Sequence, residues 1–593
     1  MFFNELQKYN TIVIFYVPFC TLAYQVIFMK NFWFILLMVC FASGQTQYPR
    51  DYFGSPLDIP LQLSGNFGEL RSNHIHSGFD FKTQQKEGFK VYAVADGYVS
   101  RIKISEIGYG KAIYITHPNG FTSVYGHLQS GFGEVEKRIK KEQYKAKSYE
   151  IDISLNPGDL MVKKGDVIAI SGNTGGSDGP HLHFEIRDTQ SEKIINPLYF
   201  GYDILIPDDK RPLINSLWVY PLDENAVVNE SKRPISVNLS LQDDGSYIAE
   251  TINASGKIGF GITAIDYDNV SWNSNGIFRV QTFLNGKTDF GYQFDTFAFD
   301  ETRYVNALID YGRYKKLGQR VQKLFMKNLY PLSIIKPGAS SGIINVANNV
   351  SQSYRIEVAD YSENISKIFI PIKYSNLPAK ISEVPVTSKY FVQAGRENIF
   401  ALENVTVSIP ANTFLENFYM DFEVKNGTAK VHEDVMPAFT NFSITFEDSI
   451  TPQRERDKLF IGLVDGKKTY FYNTKRYDNS FTIYTKYLGD YKLLRDGMPP
   501  KIKSDKRIGG KWISNLNELQ FTISDDLSGI KSYEGYLNGK WILLEYESKT
   551  KKLIHRFSDG IVAEGKNDLK ITVTDNVGNS TIFETQFFRS QKP

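Results

Sequence analysis

Six of the eight histidines of the chain lie between residues 74 and 183, a density that suits a metal site or an acid–base site. Neutral imidazole is a frequent metal ligand, and it is the side chain that titrates near pH 7. Cys20 and Cys40, the two cysteines, both precede residue 41, so a metal bound farther along must be held by His, Asp or Glu. The six clustered histidines are His74, His76, His117, His127, His181 and His183.

Two short motifs in this stretch offer ligands on a single face. In HLHFE, residues 181–185, a strand would project both imidazoles from one face and the apolar Leu182 and Phe184 from the other. In HSGFD, residues 76–80, the i, i+4 spacing puts the histidine and the aspartate on the same side in a strand or a helix. Each motif alone is a weak signal. Together, in a β-rich stretch without cysteine, they predict a metal site.

The choice between His117 and His127 depends on the register of one hairpin. Asn119-Gly120 predicts a two-residue turn, which would pair Pro118 with Phe121. On that register the two histidines lie on opposite faces, so only one of them can face a site on the sheet. His127 precedes a loop, where functional residues concentrate, and we expect it to be the one.

The other histidines are interpreted as structural. His117 lies near a turn, and His74 is expected to be a spectator or an outer partner of its neighbour His76. His432 and His555 are single histidines in β-rich stretches, far along the chain from the cluster.

Length and composition predict several packed β domains. A chain of 593 residues corresponds to roughly three to five domains. The 14% of aromatic residues excludes a disordered chain, and a net charge of +2 disfavours nucleic-acid binding. After residue 45, short alternating runs separated by Gly, Asn, Asp and Pro are typical of an all-β protein. Long helices are expected to be scarce, and the clearest helical candidates are 134–149 and 311–325.

The first 44 residues are predicted to be a targeting segment. The stretches 11–28 and 32–41 are apolar, and Met29-Lys30 between them offers a second start with a short basic region. Ala42-Ser43-Gly44 then provides small residues for cleavage, as in a secretory signal. The protein is therefore expected to be exported to the periplasm or cell envelope. The alternative is an uncleaved membrane anchor, with Pro18 inside its first apolar run. No later segment approaches 18 apolar residues, so the rest of the chain is expected to be soluble.

A weak internal repeat predicts immunoglobulin-like (Ig-like) β-sandwich modules in the remainder. Residues 355–372 and 570–587 each form a strand, an Asp/Asn-rich turn and a strand, and stretches ending in FLNGK and YLNGK precede them. Turn aspartates such as Asp360, Asp525 and Asp575 bond the local backbone, and calcium binding is the alternative role. The predicted domains are 48–205, which contains the histidine cluster; 206–375, an Ig-like sandwich with an insertion; 376–496, a β-rich domain; and 497–593, an Ig-like sandwich.

Four motifs between about residues 65 and 200 resemble those of LytM/lysostaphin-type zinc metallopeptidases. They are HSGFD at 76–80, YGHL at 125–128, GNTG at 172–175 and GPHLHFE at 179–185, of which the last is very specific. The resemblance implies a compact antiparallel β domain. The sequence departs from the family pattern by an insertion at 129–155, interpreted either as a lid over the substrate groove or as a solvated surface excursion.

The resemblance also implies roles for the clustered residues. His76, Asp80 and His183 would bind Zn²⁺ and leave a fourth position open for water, as in catalytic zinc sites. His181 would be the general base, and His127 would orient the water or stabilise the tetrahedral oxyanion. Which of these two histidines is the base stays open in the sequence.

The function implied is that of a secreted zinc metalloendopeptidase that hydrolyses peptide bonds in peptidoglycan cross-links or stem peptides. The first alternative is a non-catalytic envelope protein, in which the domain binds the wall and the C-terminal modules bind envelope partners. The second is a zinc peptidase that acts on an envelope protein. Contact with a membrane is expected only through the N-terminal segment, if it stays uncleaved.

Overall fold

The computed structural model describes residues 48–336, 341–348, 351–382 and 387–590. The predicted targeting segment, residues 1–44, lies outside the described residues. The chain divides into the units Met1–Arg50 and Asp51–Pro593, and every described helix and strand belongs to the second. None of these described helices has the length and apolarity to span a bilayer.

Strands dominate the described chain, and the predicted mainly β fold is confirmed. The strands of the region with the clustered histidines are Leu63–Gly65 (β1), Leu70–Arg71 (β2), His74–Ile75 (β3), Phe79–Lys82 (β4), Lys90–Tyr92 (β5), Gly97–Ile104 (β6), Lys111–Thr116 (β7), Phe121–Gly126 (β8), Leu128–Gly131 (β9), Ile151–Ser154 (β10), Met161–Val162 (β11), Val167–Ser171 (β12), His181–Asp188 (β13) and Ile194–Ile195 (β14). Most of them form one large antiparallel sheet, with the main order β1-β4-β13-β8-β7-β6-β10, and a small sheet in the order β5-β12-β9.

The central strand β13 positions the motif HLHFE. Leu182 and Phe184 are fully buried in the core on one face, so the alternating residues of the motif point to the other face. The register of β13 sets His183 directly opposite Asp80 on β4 and opposite Gly126 on β8. The pairing of these three strands therefore brings the histidine and the aspartate together.

The two-residue turn predicted at Asn119-Gly120 is wrong by one residue. The His117 N–H donates to the Phe121 carbonyl at 2.9 Å, so residues 118–120 form a three-residue turn. Pro118 explains the shift, because a two-residue turn needs an N–H at position 118 and proline has none. His127 follows β8 with a φ of 58°, which turns it out of the strand.

Both predicted helices exist, and both are shorter than predicted. The first, α1, spans Glu134–Ala146 and ends because Lys147 adopts a left-handed conformation. The second spans Tyr311–Leu317, where Gly318 adopts a φ of 71° and terminates it as glycine commonly does. The other helices among the described residues are Tyr202–Leu205 and Val305–Leu308, with 3₁₀ turns at Pro197–Phe200, Phe299–Tyr304, Gln453–Lys458 and Phe557–Asp559.

The rest of the described chain consists of further β sheets, and the predicted domain boundaries and sandwich arrangement stay predictions. Residues 389–496 contain two five-stranded sheets, and residues 497–590 two four-stranded sheets. The strands are Leu213–Pro221, Val227–Val228, Ile235–Val237, Leu239–Leu241, Tyr247–Ala249, Ile252–Ile265, Arg279–Leu284, Lys287–Gln293, Thr296–Phe297, Gln322–Lys323, Ile344–Val346, Gln352–Ala359, Ile365–Tyr374, Phe391–Val392, Asn398–Leu402, Val405–Ile409, Phe418–Tyr419, Phe422–Lys425, Thr428–Val431, Phe442–Glu447, Leu459–Asp465, Lys468–Phe471, Lys475–Tyr477, Ser480–Thr485, Gly489–Arg495, Lys501–Ser504, Glu518–Ser524, Ile530–Leu537, Lys540–Ile542, Glu545–Glu547, Lys552–Arg556, Gly565–Asp575 and Ser580–Arg589.

The large sheet extends into the region that follows it. The strand Thr296–Phe297 pairs with β14, which itself pairs with β13. The ring of Phe297 is fully buried and lies 5.0 Å from the ring of Phe67. This contact gives the histidine-containing region and its neighbour a shared core.

Helix α1, in the insertion, packs against the last β region. Glu545 binds Lys111 at 2.7 Å and Lys140 at 3.0 Å, and both pairs are largely shielded from solvent. The Tyr144 ring meets the Trp541 ring edge-on at 5.3 Å. The helix is thus held between the small sheet and residues 541–559. This packed position differs both from a lid over the substrate groove and from a solvated surface excursion, the two interpretations of the insertion.

Candidate metal centre

Three buried side chains converge on one point at the junction of β4 and β13. Nε2 of His76 lies 3.1 Å from Oδ1 of Asp80 and 3.3 Å from Nδ1 of His183. The same Asp80 oxygen lies 2.8 Å from Nδ1 of His183. Gly78 allows this close packing, because a Cβ at that position would collide with the carbonyl oxygen of Phe184.

The hydrogen bonds on the far side of each imidazole decide which nitrogen faces the centre. Nδ1 of His76 lies 2.7 Å from the Asn66 carbonyl, which only accepts, so Nδ1 carries the hydrogen and Nε2 keeps its lone pair. Nε2 of His183 lies 2.8 Å from Oε1 of Glu185, which leaves Nδ1 facing the centre. Two imidazole nitrogens and one carboxylate oxygen repel one another unless a proton or a metal ion lies between them. This donor set fits a metal ion.

Electrostatics at the centre favour an ionised Asp80. Burial opposes its charge, but the imidazoles of His76, His181 and His183, in the forms that carry a proton toward Asp80, outweigh burial and hold the pKa of Asp80 well below its usual range. Its other oxygen, Oδ2, accepts a hydrogen bond of 2.6 Å from Arg71. Arg71 therefore leaves Oδ1 as the oxygen directed at the centre.

A proton competes with a metal ion for Nδ1 of His183. Burial disfavours the charged imidazolium, but hydrogen bonds to Asp80 and Glu185 outweigh it and raise the pKa of His183 to about 9.

Glu185 is a fully buried carboxylate that supports His183. It accepts hydrogen bonds from the hydroxyl groups of Ser77 and Tyr109, and its Oε2 lies 2.6 Å from the guanidinium of Arg187. No role is predicted for Glu185 from the sequence motifs alone. The alternation of the strand contained the signal, since residue 185 shares a face with residues 181 and 183.

We expect Glu185→Gln to lower metal affinity by roughly 10- to 100-fold, the usual cost of losing a partner behind a metal-binding histidine. The amide still accepts a hydrogen bond from His183, but it lacks the charge that makes the imidazole a better donor and that neutralises Arg187. A competition titration with a chelating dye measures the affinity. Glu192→Gln, a change at an exposed glutamate that lines neither the centre nor the cleft, is the control and should bind metal normally. If Glu185→Gln does not fold, Tyr109→Phe removes one hydrogen bond to Glu185 and should show a smaller loss.

Two further imidazoles stand beside the three converging side chains. Nδ1 of His181 lies 2.8 Å from the Gly179 carbonyl, so Nε2 is unprotonated, and it lies 3.4 Å from Oδ1 of Asp80. Nδ1 of His127 lies 2.8 Å from the Thr174 carbonyl, within the GNTG motif, and the His127 and His181 rings are 4.7 Å apart. Burial, followed by the charges of His183 and His181, lowers the pKa of His127 to about 3.

The structure separates the remaining histidines from this group. His74 is exposed and its Nδ1 faces the Ser72 carbonyl, while His117 is buried with its ring nitrogens at 2.9 Å from the Asp96 carbonyl and 2.8 Å from the Ser123 hydroxyl. His432 and His555 lie in the C-terminal β regions and bond the local backbone.

A cleft of about 1500 Å³ runs beside the five residues His76, Asp80, His127, His181 and His183. One wall comes from the same region, and the other from the region that follows. Among the described residues, none that lines the cleft belongs to the insertion at 129–155, so α1 is not a lid in this structure. The cleft residues from the following region are Trp272, Phe299, Thr302 and Arg320.

Family models match two parts of the chain. The model of peptidase family M23 matches residues 74–197, which include all five residues at the cleft. The model of the Zu5-like domain matches residues 389–496, within the stretch interpreted from the sequence as a β-rich domain.

Curated relatives are similar to the same part of the chain. DD-carboxypeptidase/endopeptidase Mpg of Neisseria meningitidis is 35% identical over 134 residues, which are 22% of this chain and 25% of the relative. An uncharacterized metalloprotease of Haemophilus influenzae is 32% identical over 149 residues, 24% of this chain and 26% of the relative. Peptidoglycan DD-endopeptidase ShyC of Vibrio cholerae is 28% identical over 142 residues, which are 23% of this chain and 27% of the relative. The chain thus spans about a quarter of the length of these relatives.

Proposed function

Because residues 74–197 form a peptidase family M23 domain, of LytM/lysostaphin type, we propose that this chain is a zinc endopeptidase of bacterial peptidoglycan. It would hydrolyse peptide bonds of cross-links or stem peptides after export, in the periplasm or cell envelope. The convergence of His76, Asp80 and His183, with His127 and His181 beside them at an open cleft, carries the proposal. The similarity to a peptidoglycan DD-endopeptidase supports the choice of substrate.

Zinc would be held by Nε2 of His76, Oδ1 of Asp80 and Nδ1 of His183. Two imidazoles and one carboxylate form the three-ligand set of a catalytic zinc, which keeps one position open. When bound, zinc is a Lewis acid that lowers the pKa of water from 15.7 to about 7 and polarises a carbonyl group. Asn66 and Glu185 hold the outer imidazole nitrogens and so keep the inner ones directed at the ion.

His181 is assigned as the general base. The Gly179 carbonyl fixes the hydrogen on Nδ1, so Nε2 can accept a proton from the attacking water. Asp80, 3.4 Å away, would stabilise the imidazolium that forms. His181 would then return this proton from Nε2 to the amine that leaves.

His127 is assigned to orienting the attacking water. Its Nδ1 hydrogen is used by the Thr174 carbonyl, so Nε2 can accept a hydrogen bond and cannot donate one. Stabilising an oxyanion requires a donor, which this tautomer does not offer. Of the two roles left open by the sequence, the hydrogen-bond geometry therefore supports the first.

Cations in the lining of the cleft could bind the carboxylates of a peptide, beside the acidic Glu69 and Asp178 that also line it. Lys82, Lys103 and Arg320 contribute positive charge, and Nζ of Lys82 has no hydrogen-bond partner among the described residues. Stem peptides carry free carboxylates, which these cations would attract.

Removal of the metal is expected to abolish release of soluble muropeptides from purified peptidoglycan, and added Zn²⁺ is expected to restore it. The full-length protein, the protein treated with a chelator and the reconstituted protein would each digest the same peptidoglycan, with the products identified by mass spectrometry. Cleaved cross-links appear as new free amine and carboxylate ends.

A parallel digest of a protein library separates the alternatives. Cleavage of proteins without release of muropeptides would favour a zinc peptidase that acts on an envelope protein. Protein that contains no zinc and cleaves neither substrate would favour the non-catalytic envelope protein.

A further inference from the structure

A second group of potential ligands lies outside the peptidase domain and contains only oxygen donors. Asp208, Asp266 and Asp360 each bring a carboxylate oxygen within 4.8 Å of the other two. Asp266 and Asp360 directly follow long strands, and Asp208 precedes one, so the three meet at one end of a sheet. Burial, followed by the charges of Asp208 and Asp360, raises the pKa of Asp266 to about 8. The carboxylates therefore repel one another.

Unpaired buried oxygen atoms provide an independent sign that the cluster faces a ligand. Asp266 is 5% exposed and Asn275 is 6% exposed, and Oδ1 of each has no hydrogen-bond partner among the described residues. Buried polar atoms are normally paired, so each exception requires an explanation. The Asn275 amide is oriented by its Nδ2, which donates to Oδ2 of Asp268 at 2.9 Å.

These side chains line a small pocket. Asp208, Asp266, Asp360 and Asn275 all line it, and its volume is about 50 Å³. A cavity of about 10–15 Å³ already holds one water molecule, so this one has room for an ion with water beside it.

We propose that this cavity binds a calcium ion through carboxylate oxygens of Asp208, Asp266 and Asp360 and the amide oxygen of Asn275. A donor set made only of oxygen atoms suits a hard divalent cation. It does not suit zinc, which prefers nitrogen and sulfur ligands. Ca²⁺ accepts six to eight oxygens in flexible geometry, whereas Mg²⁺ demands a strict octahedron and keeps most of its water. Four side-chain oxygens, completed by water, match the coordination of Ca²⁺.

The second repeat contains a related cluster that serves as an internal comparison. Asp496, Asp525 and Asp575 also lie within 4.8 Å of one another. Asn579 donates to Asp575 at 2.7 Å, as Asn364 does to Asp360. Among the described residues, however, this cluster has no carboxylate oxygen that is both buried and unpaired. The proposed site is therefore a property of the first repeat.

The loop that contributes Asp266 and Asn275 also contacts the peptidase domain. Gly276 exchanges two hydrogen bonds of 2.8 Å with the side chain of Asn66, whose carbonyl orients His76. Trp272 of the same loop lines the cleft. Calcium would hold this loop in place behind the metal centre.

Equilibrium dialysis of the full-length protein against ⁴⁵Ca²⁺ tests the proposal without any measurement of peptidase activity. We expect one Ca²⁺ per chain, together with a higher melting temperature in Ca²⁺. Asp266→Asn keeps the shape of the side chain and should lower the affinity at least about tenfold, because ligand charge sets calcium affinity. Asp525→Asn is the matched control and should bind Ca²⁺ as the wild type does.

Several outcomes would overturn the proposal. They are no binding up to about 10 mM Ca²⁺, which exceeds the range of weak protein sites; binding of Mg²⁺ in preference to Ca²⁺; and a loss of affinity in Asp525→Asn but not in Asp266→Asn. Melting curves without Ca²⁺ establish that each variant is folded. If Asp266→Asn does not fold, Asp208→Asn, at a less buried position, takes its place with the same expected loss.

Discussion

His183→Ala is expected to lose its metal ion and its hydrolytic activity together. The substitution removes Nδ1 of His183 and leaves two donors, His76 and Asp80, where a catalytic zinc needs three protein ligands. Loss of the ion removes several kcal/mol of transition-state stabilisation, which corresponds to at least about a 10³-fold lower rate. Metal content by plasma mass spectrometry and muropeptide release by mass spectrometry measure the two effects.

Two other variants make this result specific. His74→Ala changes an exposed histidine at the wall of the cleft and should keep both metal and activity. His181→Ala should keep the metal but lose about 10²- to 10⁴-fold in rate, the usual contribution of a general base. Retention of zinc and full activity in His183→Ala would refute the assigned centre.

A fragment that ends at residue 205 is expected to be much less stable than a longer chain, although it contains every proposed ligand. The cut exposes Ile194 and Ile195 of β14, which pair with Thr296–Phe297, and it removes the ring of Phe297 from Phe67. Buried side chains of this size contribute about 1.5–3 kcal/mol each, against a total stability of about 5–15 kcal/mol for a domain.

Thermal unfolding of fragments 48–205 and 48–382 measures this loss. Both fragments lack the contacts between α1 and the last β region, so the difference between them reports on residues 206–382 alone. The longer fragment should unfold cooperatively at a clearly higher temperature and should bind one equivalent of zinc more tightly. Equal melting temperatures would show that the shared core adds nothing to the stability of the peptidase domain.

Local patterns in the sequence account for much of the candidate site. The alternation in HLHFE and the spacing in HSGFD singled out side chains that the structure brings within 3.3 Å of one another. Arg71, in β2, and Asn66, which follows β1, are not marked by the sequence, because only tertiary packing brings them to Asp80 and His76. No periodicity in their own segments marks them.

The errors in the fold prediction have local causes. Pro118 cannot donate the hydrogen bond that the predicted turn required, so the hairpin shifted by one residue. Gly318 ends the helix at Leu317, whereas the sequence predicts a helix up to residue 325. Contacts between distant segments, such as the pair Lys111–Glu545, leave no pattern in the sequence at all, and the docked position of α1 could not be predicted.

The pair Lys111–Glu545 can form only after the ribosome has synthesised most of the chain. Lys111 and Glu545 are 434 residues apart, and ribosomes add about 5–20 residues per second. Roughly 20–90 s therefore separate the synthesis of the two residues. During this interval Lys111, Lys140 and the face of α1 that meets Trp541 lack their partners, so the peptidase region reaches its final form only as the end of the chain arrives.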